Sequence, residues 1–137
     1  MTFCALSSAK GMDIKMSYVT DEKKKRELLD YYYRVMEDWF VIRLEHYSKN
    51  EGYGDGGYMW CCFANDYEEW EEDYFGDSGV AYYFDPPAVE EEYTVILTNE
   101  EFYAYLVEKS ELYLQKYGHR KELVEGYLKT IKENLKL

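Results

Sequence analysis

The stretch GVAYYFDPPAVEEEYTVILTNEEFYAYLVEK, residues 79–109, decides the architecture. Its first seven residues, GVAYYFD (79–85), are aromatic and β-preferring, and Pro86-Pro87 ends the run because proline cannot donate to a sheet ladder. After a short link, EEYTVILT (91–98) alternates: Tyr93, Val95 and Leu97 address one side, and Thr94, Ile96 and Thr98 the other. Thr98 and Glu101 then have the spacing of a capping box, so a helix starts there. Two strands joined by a short link pair antiparallel, and the helix after them folds back over one face.

Working outward, YMWCCFAN (58–65) reads as a further strand of aromatic, β-preferring character. The helix after Thr98 runs to about Tyr117 with Phe102, Tyr105, Leu106, Leu112, Tyr113 and Leu114 available to the core, and Gly118 suits its C′ position. A last helix covers 120–135, with Val124, Tyr127, Leu128, Ile131 and Leu135 on one face. Upstream, residues 22–48 carry two adjoining apolar stripes at helical spacing, Leu28, Tyr32, Val35, Trp39 and Ile42 beside Leu29, Tyr33, Met36, Phe40, Leu44 and Tyr47. They predict one long helix of roughly 40 Å, capped by Thr20 or Asp21. NEGYGDGG (50–57), with four glycines, reads as a flexible loop. The expected fold is α+β: a small antiparallel sheet of three or four strands covered by N-terminal and C-terminal helices. At 137 residues the chain makes one domain, 1–137. Residues 1–16 are expected to be a poorly ordered lead-in, with Met12 or Met16 as alternative starts.

Charge separates the middle of the chain from its ends. The sequence holds 28 acidic against 16 basic residues, a formal net charge of −12. Residues 50–108 contain 16 of the acids and not one Lys or Arg, while the two ends are close to neutral. A strongly acidic chain is a poor match for DNA or RNA, whose phosphates need Lys and Arg, and for an anionic membrane surface. It suits a basic partner. Seventeen tyrosines, among them Tyr67, Tyr74, Tyr82, Tyr83 and Tyr93 next to acids, suggest a surface that pairs carboxylates with cations and stacks rings on guanidinium groups.

Other chemistries find little support. Cys4, Cys61 and Cys62 are odd in number and unsuited to a disulfide framework, and read as buried thiols in a reducing cytoplasm. No stretch approaches 18 apolar residues, so no membrane span is expected. Nucleotide-binding and nucleophile motifs are absent from the sequence, and His46 and His119 stand alone. Acidic pairs are too numerous to single out a catalytic dyad, and the cluster at 66–73 lacks EF-hand spacing. The expectation is a non-enzyme with no cofactor and no metal.

Residues 79–117, together with HRKELVEGYLKTI (119–131), resemble immunity proteins of bacterial contact-dependent growth inhibition systems, specifically the group that neutralises tRNA-cleaving ribonuclease toxins. The points of likeness are the Gly79-Val80 strand start, the Asp85-Pro86-Pro87 turn, the acidic strand leading to Glu100-Glu101-Phe102-Tyr103 and the Tyr-Leu pairs of the following helix. The likeness departs at Gly118-His119, where a proline would be expected. It implies a cytoplasmic inhibitor that binds the C-terminal domain of a delivered toxin and blocks its nuclease site. It leaves room for a complex that includes elongation factor Tu through the toxin, and for a homodimer.

The candidate toxin-binding residues follow from the charge pattern rather than from that likeness. Asp66, Glu68, Glu69, Glu71, Glu72, Asp73 and Asp77 supply carboxylates. Tyr67, Trp70, Tyr74 and Phe75 supply either packed anchors for a partner or a cover for the domain's own sheet. Glu90, Glu91 and Glu92 form a second patch. Another acidic interaction module, such as a nucleic-acid mimic that binds a basic host protein, is the competing reading.

Overall fold

The computed structural model describes residues 18–35, 39–55, 58–64, 67–71 and 74–137. The order is α1 (Glu22–Val35), α2 (Phe40–Ser48), β1 (Tyr53–Asp55), β2 (Met59–Phe63), β3 (Val80–Phe84), β4 (Tyr93–Leu97), α3 (Asn99–Lys116), a 3-10 turn (Gly118–Arg120) and α4 (Lys121–Asn134). The strands form an antiparallel meander in the order β1-β2-β3-β4. Trp60 lies opposite Tyr83, and Tyr83 opposite Thr94. The expected α+β class and helical cover are as the sequence predicts.

Two of the expected elements change. The helix predicted over 22–48 is two helices: Trp39, at φ −107° and ψ 13°, stands outside helical geometry and begins α2 without a side-chain cap. Of the two apolar stripes, Leu29, Tyr33, Phe40, Leu44 and Tyr47 enter the core, Met36 lying outside the described residues, whereas the other supplies only Leu28 and Tyr32, with Val35, Trp39 and Ile42 left exposed. A single straight helix presents one face to a sheet, so the break lets a broad apolar surface be buried from two directions. The glycine run is also more than a loop, since Tyr53–Asp55 pair with β2. Gly52 permits this: a Cβ there would lie 2.1 Å from the Cys61 carbonyl oxygen.

The C-terminal elements lie close to prediction. Glu101 N–H donates to Thr98 Oγ1 at 3.1 Å and Thr98 N–H to Glu101 Oε1 at 2.9 Å, completing the capping box. Gly118 follows the C-cap Tyr117 at the expected C′ position of α3 and opens the 3-10 turn.

Every residue of β2 and β3 is buried, so the sheet is covered twice. On one face Met59, Cys61, Phe63, Val80, Tyr82, Phe84, Val95 and Leu97 pack with all four helices. Tyrosines that the sequence suggested for a surface are spent here: Tyr82 is fully buried, and its hydroxyl meets that of Tyr33 at 2.5 Å. Tyr32 packs edge-on to Tyr33 and Tyr82, with centroids 5.0 and 5.2 Å apart. Burial pushes the Tyr32, Tyr33, Tyr47 and Tyr82 hydroxyls well above the ordinary phenol value, because an ionised phenol loses its hydration there. Arg43, fully buried, lies over the Tyr32 and Tyr33 rings at 5.0 and 5.2 Å.

α1 and α3 are tied by charge. Arg26 donates to Glu108 at 2.5 Å and lies over the Tyr105 ring, while Lys109 donates to Asp30. No helix among the described residues is long and apolar enough to cross a membrane. Cys61 is free and buried, whereas Cys62 is disulfide-bonded, against the expectation of three unbonded thiols.

Candidate functional site

The other face of the sheet carries Trp60, Cys62, Ala81 and Tyr83, and the β2–β3 connection folds back over it. The connection is fastened at its base by Ala64 N–H to the Gly79 carbonyl, 3.1 Å, and by Gly79 N–H to Asn99 Oδ1, 3.0 Å. Gly79 is needed there: its φ is +111°, and a Cβ would lie 2.9 Å from the Leu97 carbonyl oxygen. Within the loop, Glu71 N–H bonds the Glu68 carbonyl at 2.9 Å and Tyr74 N–H the Glu71 carbonyl at 3.1 Å. Glu68 N–H donates to Glu71 Oε1 at 3.1 Å. Among the described residues 67–71 the bonding is that of turns rather than of a helix.

The loop's aromatic residues divide. Tyr67 is 6% exposed; its hydroxyl donates to Tyr83 Oη at 3.3 Å and Cys62 Sγ at 3.7 Å. Tyr74 and Phe75 are half-buried against the same cluster, and Phe75 meets the Tyr67 ring edge-on at 6.1 Å. These three cover the domain's own sheet. Trp70 is 81% exposed. Glu68, Glu69 and Asp77 are exposed with it, and Glu71 is half-buried. Asp66, Glu72 and Asp73 lie outside the described residues. Asp77 accepts the Tyr74 hydroxyl, and that bond pushes the Tyr74 phenol up to about 12.

The second patch is separate. In an antiparallel meander, the β2–β3 and β3–β4 connections leave at opposite ends of the sheet, so Glu90, Glu91 and Glu92 stand a strand's length from the 64–79 loop. Glu90 and Glu91 are exposed and Glu92 is half-buried. Glu90 accepts from the Tyr93 hydroxyl at 3.0 Å and lies 3.9 Å from the Lys24 ammonium, which itself sits over the Tyr93 ring. This patch is therefore partly compensated from α1.

Sequence reasoning passed over Asn99 and Glu100. β4 returns the chain to the end of the sheet where the loop is fastened, so Asn99 bonds Gly79 and exposed Glu100 adds charge beside it. The meander order was the signal that could have found them. Among the described residues, no group of three or more His, Cys, Asp or Glu is placed to hold a metal.

This arrangement suits docking: a rigid underside of rings supports exposed carboxylates and one exposed indole. A family model described as CDI immunity protein matches residues 25–128. The chain belongs to the CDI immunity protein family. The match begins in α1 and ends in α4, so the family likeness seen over 79–131 extends through the first half of the chain and takes in the sheet and the acidic loop. No curated protein and no solved structure matches the chain. Membership of the CDI immunity family makes neutralisation of a cognate toxin the role of this domain.

Proposed function

We propose that the chain is a cytoplasmic, non-catalytic immunity protein for a tRNA-cleaving ribonuclease toxin, and that it neutralises the toxin by laying the 67–77 loop across its basic cleft. The observation that carries this reading is the division within the loop. Tyr67, Tyr74 and Phe75 fix the loop to the sheet, while Trp70, Glu68, Glu69 and Asp77 face solvent. An enzyme that cuts tRNA needs cations for the phosphates. A surface drawn from a 59-residue stretch without Lys or Arg can imitate the phosphate pattern, and its field speeds encounter. The half-buried Glu71 and, on this reading, Asp66, Glu72 and Asp73 add to that field, and Glu90, Glu91 and Glu92 extend it to a second contact. Where a toxin carries elongation factor Tu, that factor joins through the toxin.

The test is association kinetics with the ribonuclease domain encoded immediately upstream. Reversing Glu68, Glu69 and Glu71 to Lys is expected to slow association at least ~10-fold at low salt, with a smaller effect at high salt. Unchanged kinetics would place the interface elsewhere, and failure to co-purify with that domain would end the reading.

A further inference from the structure

On the helical side of the molecule, the end of α1, the start of α2 and the second half of α3 enclose a cleft of about 320 Å³. Its walls are the rings of Tyr33, Phe40 and Tyr113 with Leu112, and its edge carries Asp30, Arg34 and Lys109. The neighbouring Val35 and Trp39 are 49% and 54% exposed, and Leu112 is 53% exposed. An uncovered apolar face of this kind marks an interaction site more often than bare surface. Its charges are unequal. Asp30 is engaged by Lys109 and lies 3.7 Å from Arg26. Arg34 is exposed, and Arg120 reaches the Tyr113 hydroxyl at 3.2 Å. Neither guanidinium makes an ion pair among the described residues.

An occupant must bring an apolar ring for the cleft and carboxylates for Arg34 and Arg120. The chain carries that combination itself: the indole of Trp70 is set between Glu68, Glu69 and Glu71. That loop covers the sheet face opposite the helices, out of reach of its own cleft. We propose that the cleft receives the Trp70 loop of a second copy of this chain. Guanidinium–carboxylate pairs and a ring packed among rings are the favourable contacts. The net repulsion between two acidic copies is screened beyond ~8 Å at physiological salt. The contact joins two different surfaces, so each pair keeps one unused loop and one unused cleft, and growth is head to tail. The assembly needs no toxin. It uses the loop assigned above to the toxin, so the two associations exclude each other.

Sedimentation velocity on the full chain alone tests this. The average mass is expected to rise with concentration and pass that of a dimer without a plateau. Trp70→Ala and Leu112→Glu change exposed residues on the two halves of the contact, and each is expected to weaken association about 30-fold, with native circular dichroism as the check on folding. A mixture of the two variants is the decisive arm. The intact cleft of one takes the intact loop of the other, and the pairs stop at two. A chain that is monomeric at all concentrations overturns the proposal, as does association insensitive to both variants or a mixture that stays monomeric. At concentrations where the parent chain is monomeric, binding of the ribonuclease domain by Leu112→Glu is expected to equal that of the parent chain, so failure of the toxin reading and failure of self-association are read from separate measurements.

Discussion

Replacing Trp70 and replacing Tyr67 should have opposite consequences, although the two lie three residues apart. A docked Trp buries about 150–250 Å². With 81% of Trp70 exposed in the free chain, most of that area is still available to a partner. At ~25 cal/mol per Å² the gross gain is about 3–5 kcal/mol. Ordering costs remove part of it, leaving ~2–4 kcal/mol, or roughly 30- to 1000-fold in Kd. Trp70→Ala should therefore weaken toxin binding by that factor while changing stability by no more than ~0.5 kcal/mol. Tyr67, at 6% exposure and with both hydroxyl contacts turned inward, should do the reverse. Tyr67→Ala should cost ~3 kcal/mol of stability and affect binding through loss of the loop's support. The assay pairs urea unfolding with titration calorimetry against the ribonuclease domain. Toxin affinity unchanged in Trp70→Ala would refute the reasoning, as would a large loss of stability in that variant.

Three further outcomes follow from the geometry. The hydrogen bond from Arg26 holds the Glu108 carboxyl below its ordinary 4.5. Its contribution is therefore present above the unfolded value and lost as pH falls through the folded one. Glu108→Gln should lower stability by ~0.5–1 kcal/mol at neutral pH, and the difference from the parent should shrink in urea melts as pH falls through the folded-state value, below 4.5. Asp77→Asn should bring the Tyr74 phenol down from about 12 toward 10, as read by NMR titration of labelled tyrosine. Gly52→Ala should cost ~2–3 kcal/mol, because its Cβ would displace β1 from the Cys61 carbonyl; hydrogen exchange should show protection lost first at β1 and β2.

Much of this molecule is legible where local and tertiary preferences agree. The alternation of 93–97, the Thr98–Glu101 box and the apolar face of α4 each state their structure within a few residues. The departure from helical geometry at Trp39 is not legible, because no Gly or Pro interrupts YYYRVMEDWF and both stripes stay in phase through it. β1 is hidden for the opposite reason: glycine-rich sequence reads as loop until a partner strand supplies the hydrogen bonds. At the candidate site, acidity was visible in the sequence, but direction was not. The spacing 67, 70, 74 does not say which ring the sheet needs. That choice depends on Trp60 and Tyr83, contributed by two strands that flank the loop.

The two covers of the sheet differ in what they leave free. The helices commit their apolar faces to the shared core, and Arg26 and Lys109 tie α1 to α3, so changes there disturb the whole domain. The loop commits only Tyr67, Tyr74 and Phe75 to the sheet. Glu68, Glu69 and Trp70, turned outward, can be exchanged for others at little cost to folding. A scaffold built in this way separates the residues that keep it folded from the residues that, under the proposed function, would choose its opponent. A lineage can then follow a changing toxin by rewriting a few solvent-facing positions and leaving the sheet beneath them untouched.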